Sequence, residues 1–244
     1  MPVPTMDFET YLPSNAPPAE RAEVLAAILR NEDAAGIEYA VVMPNPTPNP
    51  DNRALAETVK GERRVIACCQ VNPNHGAAAI ADVETSVTQL GMRMLKIMPA
   101  IYHVNLTGPV AFELMSKARE LGIVVNIHSG GGISHPLAIG ALCRRFPEVT
   151  VIMDHMGYRE WGHDAIVAAQ DNPNLYLGAT IAAHEPSFVA RAIKELGPER
   201  VIYGSNLPAL YSDLAVEAIR RQKLGREVEE LLLGGNLARI LGMA

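Results

Sequence analysis

The chain has 244 residues, of which 48% are hydrophobic, with a formal net charge of -6 and three cysteines. That composition supports a sizeable core and argues against disorder, against a nucleic-acid footprint, which needs a basic face, and against a disulfide framework. No apolar run reaches the ~20 residues of a membrane span. The opening MPVPTMDFETYLP lacks the basic-then-apolar pattern of a secretory leader, so an acidic, soluble, cytoplasmic protein is expected.

Short apolar runs alternate with amphipathic stretches along the whole chain. In order the runs are MPVPTMDF, EYAVVMP, RRVIACCQVNP, RMLKIMPA, IVVNIHSG, VTVIMDHMG, NLYLGAT and RVIYGSNLP. Most end in Pro, Gly or Asn, as buried parallel strands do. Between them AERAEVLAAILRNEDAAG, PVAFELMSKARELG, PLAIGALCRRFPE and PSFVARAIKELG carry a helical period. Gly36, Gly122 and Gly197 follow three of these stripes as stop signals. The tail REVEELLLGGNLARILGMA reads as two short helices split at Gly234 and Gly235. Strand-helix units without a linker predict one α/β domain over residues 1–244, a (β/α)8 TIM barrel. A doubly wound open sheet is the alternative, but no G-x-G-x-x-G follows the first strand.

A barrel of this kind carries its active site at the C-terminal strand ends. The polar residues expected there are Glu9 and Tyr11 on one face of the first strand, then Asn45, then Gln70 and Asn72. Lys96 follows on the fourth strand, Asn126 and His128 on the fifth, and His155 on the sixth with Tyr158 and Arg159 beyond it. Asn206 closes the series on the eighth. Lys96 and Arg159 suit a substrate carboxylate, although an ion pair between Lys96 and Glu9 is a structural alternative for both groups. Strand alternation assigns Asp154 to the helix side, as a structural residue. His75, His103, His135, His163 and His184 read as surface residues, with His103 the nearest of them to the mouth.

At these residues the chain resembles the amidohydrolase superfamily, in its amidohydrolase-2 branch of metal-dependent hydrolases, lactonases and decarboxylases. MDFETYLP stands where the family has a D-x-H-x-H strand end, and VNIHSG and MDHMG match the fifth- and sixth-strand histidine segments. YGSNLP stands for G-S-D-x-P, and GGNLARILG matches the terminal helix. The resemblance implies a divalent metal, usually zinc, held by the two first-strand histidines, the fifth-strand histidine and the eighth-strand aspartate. It gives the sixth-strand histidine a part in activating water. Here Glu9, Tyr11 and Asn206 replace three of those residues, and His128 and His155 keep the family type. A reduced set of Glu9, His128 and His155 is enough for a zinc or manganese ion, and a metal-free site is the alternative.

Three functions are weighed. The first is a hydrolase of a small carboxylated substrate, such as a lactone, that activates water with little or no help from metal. In it His155, Glu9 and Asn206 are catalytic, and Lys96, Tyr11 and Arg159 bind substrate. The second is a metal-dependent non-oxidative decarboxylase of a small aromatic or muconate-like acid. The third is a catalytically silent barrel that acts as a binding protein. Expected partners are a small anionic substrate and further copies of the chain, with neither nucleic acid nor membrane.

Overall fold

The computed structural model describes residues 3–181 and 184–243; Met1, Pro2, Ala182, Ala183 and Ala244 of the expected domain lie outside the described residues. Eight parallel strands lie in sequential order: β1 (Met6–Leu12), β2 (Tyr39–Pro44), β3 (Val65–Gln70), β4 (Met94–Ile97), β5 (Val124–Ile127), β6 (Val151–Met153), β7 (Leu175–Gly178) and β8 (Val201–Ile202). Backbone hydrogen bonds from Phe8 to Tyr203 and from Tyr11 to Leu207 join the chain after β8 to β1. The sheet is therefore closed, and the predicted (β/α)8 barrel is the fold.

The helices are α1 (Pro18–Ala35), α2 (Asn52–Val59), α3 (Ala77–Thr88), α4 (Pro99–Tyr102), α5 (Pro109–Leu121), α6 (Pro136–Arg145), α7 (Gly162–Asp171), α8 (Pro186–Leu196), α9 (Ser212–Arg220), α10 (Arg226–Glu230) and α11 (Asn236–Ile240). The predicted stops Gly36 and Gly122 close α1 and α5 in the left-handed conformation that glycine adopts without steric cost. Among the described residues no helix is long and apolar enough to cross a membrane.

Strand alternation divides the apolar residues between two cores. Met6, Phe8, Met43, Cys68, Met94, Val124, Ile152 and Ile202 fill the barrel, with Leu237 and Leu241 from the C-terminal tail packed against them. Val42, Cys69, Leu95, Val125, Val151 and Leu177 face outward and meet the helices. Phe8 needs room: a Cβ at Gly178 would lie 2.4 Å from its ring, and one at Gly204 2.6 Å. Two glycines thus admit an aromatic ring across the barrel, below the polar residues at the mouth.

One irregularity positions the site. In the pairing of β1 with β2, Asp7 faces Ala40 and Thr10 faces Val42, so Phe8 and Glu9 together oppose Val41. This bulge turns both Phe8 and Glu9 inward. Asp7 holds it in place by accepting the N–H of Glu9 at 2.8 Å and of Ser205 at 3.1 Å.

Candidate active site

Three charged side chains meet in the buried mouth of the barrel. Lys96 Nζ lies 3.1 Å from Glu9 Oε1 and donates a hydrogen bond to Asp154 Oδ2, all three being fully buried. The Tyr11 hydroxyl donates to Glu9 Oε1 at 2.6 Å, and the Ser129 N–H donates to Asp154 Oδ1 at 2.8 Å. An ammonium in an apolar interior is tolerated only beside opposite charge. Burial pulls the Lys96 pKa down, but the facing carboxylates of Asp154 and Glu9 outweigh it and hold the group above its ordinary value. Burial likewise pushes Asp154 up, yet His155 and Lys96 hold it well below the usual carboxylate range. Glu9 goes the other way: burial first, then the charge of Asp154, raise it above its ordinary value despite Lys96. Asp154 and Lys96 form the fixed ion pair, and Glu9 is the carboxyl able to exchange a proton.

The two histidines sit beside this group, their rings 4.9 Å apart in an edge-on arrangement. Burial lowers His128 to about 4, so its ring is neutral at physiological pH. His155 Nδ1 lies 2.5 Å from Thr180 Oγ1, and that oxygen already accepts the His155 backbone N–H at 3.1 Å. Where the Thr180 hydroxyl donates to Nδ1, the proton of a neutral ring sits on Nε2. Nε2 stands 3.7 Å from Asp154 Oδ1.

Asp154 corrects the expectation that it faces the helices. Ile152 lies in the barrel interior, so simple alternation turns Asp154 inward and would turn His155 out. His155 reaches the mouth because the strand ends at Met153 and the chain then winds through positive φ at His155 (55°), Met156 (49°), Gly157 (76°) and Tyr158 (53°). Left-handed backbone at non-glycine residues costs on the order of 1–3 kcal/mol each and collects at functional sites. Here it sets a carboxylate and the adjacent imidazole side by side.

Tyr158 covers the result. Its ring centroid is 4.6 Å from His155 and 6.2 Å from His128, and it is itself partly exposed. A cavity of about 220 Å³ opens beside it, lined by Arg159, Ile181 and Glu185 among others. Tyr158→Ala is expected to make the histidine pair react several times faster with diethyl pyrocarbonate, as followed by peptide mass analysis. An unchanged rate would mean that Tyr158 does not control access.

Glu9, Tyr11, Lys96, His128 and His155 are thus brought together at the mouth. Asn206 meets them through its backbone, whose N–H donates to the Glu9 carbonyl at 3.0 Å with φ at 64°. Arg159 is not among them: its exposed guanidinium pairs with Glu185 at 2.5 Å. His103 is exposed at the end of α4. Asp154, Ser129, Thr180 and Tyr158 complete the site. The strained turn joins Asp154 and Tyr158 to it, and Ser129 and Thr180 follow strand ends without any sequence pattern that marks them.

The expected metal can be tested against these side chains. Ligand atoms of Glu9, Asp154 and His155 lie within 4.8 Å of one another, so Asp154 stands in that group where His128 was expected. Both carboxylates, however, already bind the Lys96 ammonium, and a divalent ion would enter directly against that positive charge. With Lys96 in place the donor set does not fit a resident metal.

The family model described as Amidohydrolase matches residues 10–243. No curated protein sequence matches the chain. Among solved structures, an uncharacterized TIM-barrel protein from Bordetella bronchiseptica is 18% identical, with 99% of each chain covered and a TM-score of 0.82. A protein described as a probable 2-pyrone-4,6-dicarboxylic acid hydrolase from Acinetobacter baumannii is 14% identical, with 98% of this chain and 99% of that one covered and a TM-score of 0.72. A dihydroxybenzoic acid decarboxylase from Polaromonas, solved with bound manganese, is also 14% identical, with 100% and 98% covered and a TM-score of 0.69. At these identities the structures share the fold, and the enzymes among them include both hydrolase and decarboxylase chemistry. Barrel, histidine segments and family match agree, and the chain belongs to the amidohydrolase family.

Proposed function

We propose that the chain is a hydrolase that opens a lactone or a related C–O or C–N bond of a small carbonyl compound, with Lys96 supplying the positive charge of the site. The observation that carries this reading is the Lys96 ammonium between Glu9 and Asp154. An ammonium has three N–H donors, and two are committed to carboxylates. The third is available to a carbonyl oxygen at the mouth, where negative charge develops as water attacks.

Glu9 is the base in this scheme. Its Oε1 is held by Lys96 and Tyr11, and its Oε2 has no hydrogen-bond partner among the described residues. Oε2 takes a proton from water as the water oxygen adds to the carbonyl carbon. It then returns that proton to the leaving oxygen or nitrogen as the old bond breaks. Burial suits the residue to this exchange, because it raises the proton affinity of Glu9 while Asp154 stays ionised. Tyr11, held well above its ordinary pKa by burial and by Glu9, remains a phenol and keeps Glu9 oriented. In its neutral form His155 offers Nε2–H as a second donor to the developing charge.

Carboxylate on the substrate has little support in this arrangement. Lys96 is bound to two internal carboxylates, and Arg159 pairs with Glu185 outside the mouth.

The test is turnover of a lactone panel before and after exhaustive EDTA treatment. Full activity after chelation is expected, and Glu9→Gln should lower kcat by about 10²–10⁴-fold. Manganese-dependent loss of carbon dioxide from a hydroxybenzoate, abolished by EDTA, would overturn the reading in favour of a decarboxylase.

A further inference from the structure

Two amide side chains at the mouth are not used by the scheme above. Gln70 and Lys96 are register partners in the pairing of β3 with β4, and Lys96 and Asn126 are partners in that of β4 with β5. Two residues earlier on the same strands, Cys68, Met94 and Val124 lie in the barrel interior. All three polar side chains therefore share the inner face, with one amide on each side of the lysine. Both amides are buried. Among the described residues Asn126 has no hydrogen-bond partner at Oδ1 or at Nδ2, and Gln70 has none at Oε1, although its Nε2 donates to the Tyr102 hydroxyl at 3.2 Å. Glu9 Oε2 and His128 Nδ1 are unpartnered in the same mouth.

A buried amide without partners destabilises a fold unless a ligand or ordered water completes it. The unmatched atoms also indicate what kind of ligand. Asn126 Oδ1, Gln70 Oε1 and Glu9 Oε2 accept, and Asn126 Nδ2 donates. A carboxylate only accepts: it would satisfy the Asn126 N–H groups, leave both amide oxygens bare and face Glu9 and Asp154. A cation would satisfy the oxygens but meet the Lys96 ammonium. A hydroxyl donates and accepts and carries no charge, which matches the whole set.

We infer that Gln70 and Asn126 form a subsite, flanking Lys96, for an uncharged hydroxylated part of the ligand, such as the vicinal hydroxyls of a sugar-derived lactone. The inference deepens the hydrolase reading by naming its substrate class, and it rests on that reading only for the word lactone.

Calorimetric binding of three probes to the full chain tests it: an aldono-1,4-lactone, γ-butyrolactone and 2-pyrone-4,6-dicarboxylate. The hydroxylated lactone is expected to bind at least about tenfold more tightly than γ-butyrolactone, and Asn126→Leu and Gln70→Leu should each remove about tenfold of that preference. Neither substitution should weaken γ-butyrolactone, and Asn126→Leu should melt above the wild type, because it removes a buried amide without partners. Tighter binding of the dicarboxylate, no preference in the wild type, a preference that survives both substitutions, or a lower melting temperature for Asn126→Leu would each overturn the subsite. Turnover measured on the same samples separates the two readings. A hydroxyl preference without turnover leaves the subsite standing and removes the hydrolase.

Discussion

Lys96→Met is expected to cost about 3–5 kcal/mol of folding stability, since it leaves two buried carboxylates without their counter-charge. In a domain of this size that corresponds to a fall in Tm on the order of 10 °C. The methionine fills similar space, so a cavity is not the cause; the loss comes from Glu9 and Asp154, both fully buried and both bonded to the ammonium. The same variant should acquire metal affinity, because Glu9, Asp154 and His155 already place ligand atoms within 4.8 Å of one another. Manganese or zinc should raise the Tm of Lys96→Met by several degrees and leave the wild type unchanged. Thermal denaturation with each metal and with EDTA reads both effects. A wild type stabilised as strongly as the variant would show that the lysine does not exclude the ion. A variant as stable as wild type without metal would remove the ion pair from the stability of the fold.

Glu32→Gln is expected to stabilise the protein at neutral and alkaline pH, an unusual outcome for a buried carboxyl. Glu32 lies on the apolar stripe of α1 with Leu25 and Ile28, accepts a hydrogen bond from Ser212 Oγ at 3.1 Å and adjoins the Asp7 carboxyl. Burial, and then the charge of Asp7, push it up to about 10 from an ordinary 4.5, while burial takes Asp7 to about 6. At pH 7 the folded chain therefore keeps the Glu32 proton, and the unfolded chain has released it. The unfolded state then binds fewer protons, so stability falls as pH rises from about 4.5 toward about 10, by on the order of 3 kcal/mol at pH 7. Glutamine keeps a donor and has no proton to retain. Urea denaturation of wild type and Glu32→Gln from pH 5 to pH 9 should show curves that diverge with rising pH, the variant above. Parallel curves would mean that Glu32 is ionised in the folded protein.

The barrel was legible because it rests on patterns that act over a few residues. Runs such as EYAVVMP and LKIMP bury both faces of a strand, and Gly36 and Gly122 stop helices by local backbone geometry. The residues of the mouth were legible on β4 and β5, where strict alternation sends Lys96, Asn126 and His128 inward; on β1 a bulge, not alternation, turns Glu9 inward beside Phe8. Counted back from an inward-facing His155, the same rule sends Asp154 to the helices; it fails there because His155 enters the site by a left-handed turn, beyond the strand, that the residues MDHMGYR do not announce. Arg159, one residue past that turn, pairs outward with Glu185 for the same reason.

The sequence by itself determined a closed (β/α)8 barrel and the family, through strand periodicity and the histidine segments. It also determined that tyrosine and asparagine stand where the family has a histidine and an aspartate. Only the tertiary structure decided the electrostatics of the site. Burial raises the free energy of each isolated charge, so Lys96 must draw Glu9 and Asp154 onto itself, and that choice of partner depends on distances between strands far apart in the chain. The same burial left Gln70 Oε1 and both polar atoms of the Asn126 amide unpartnered on either side of the lysine, because strand register, which follows from barrel closure, puts them where no group among the described residues meets them.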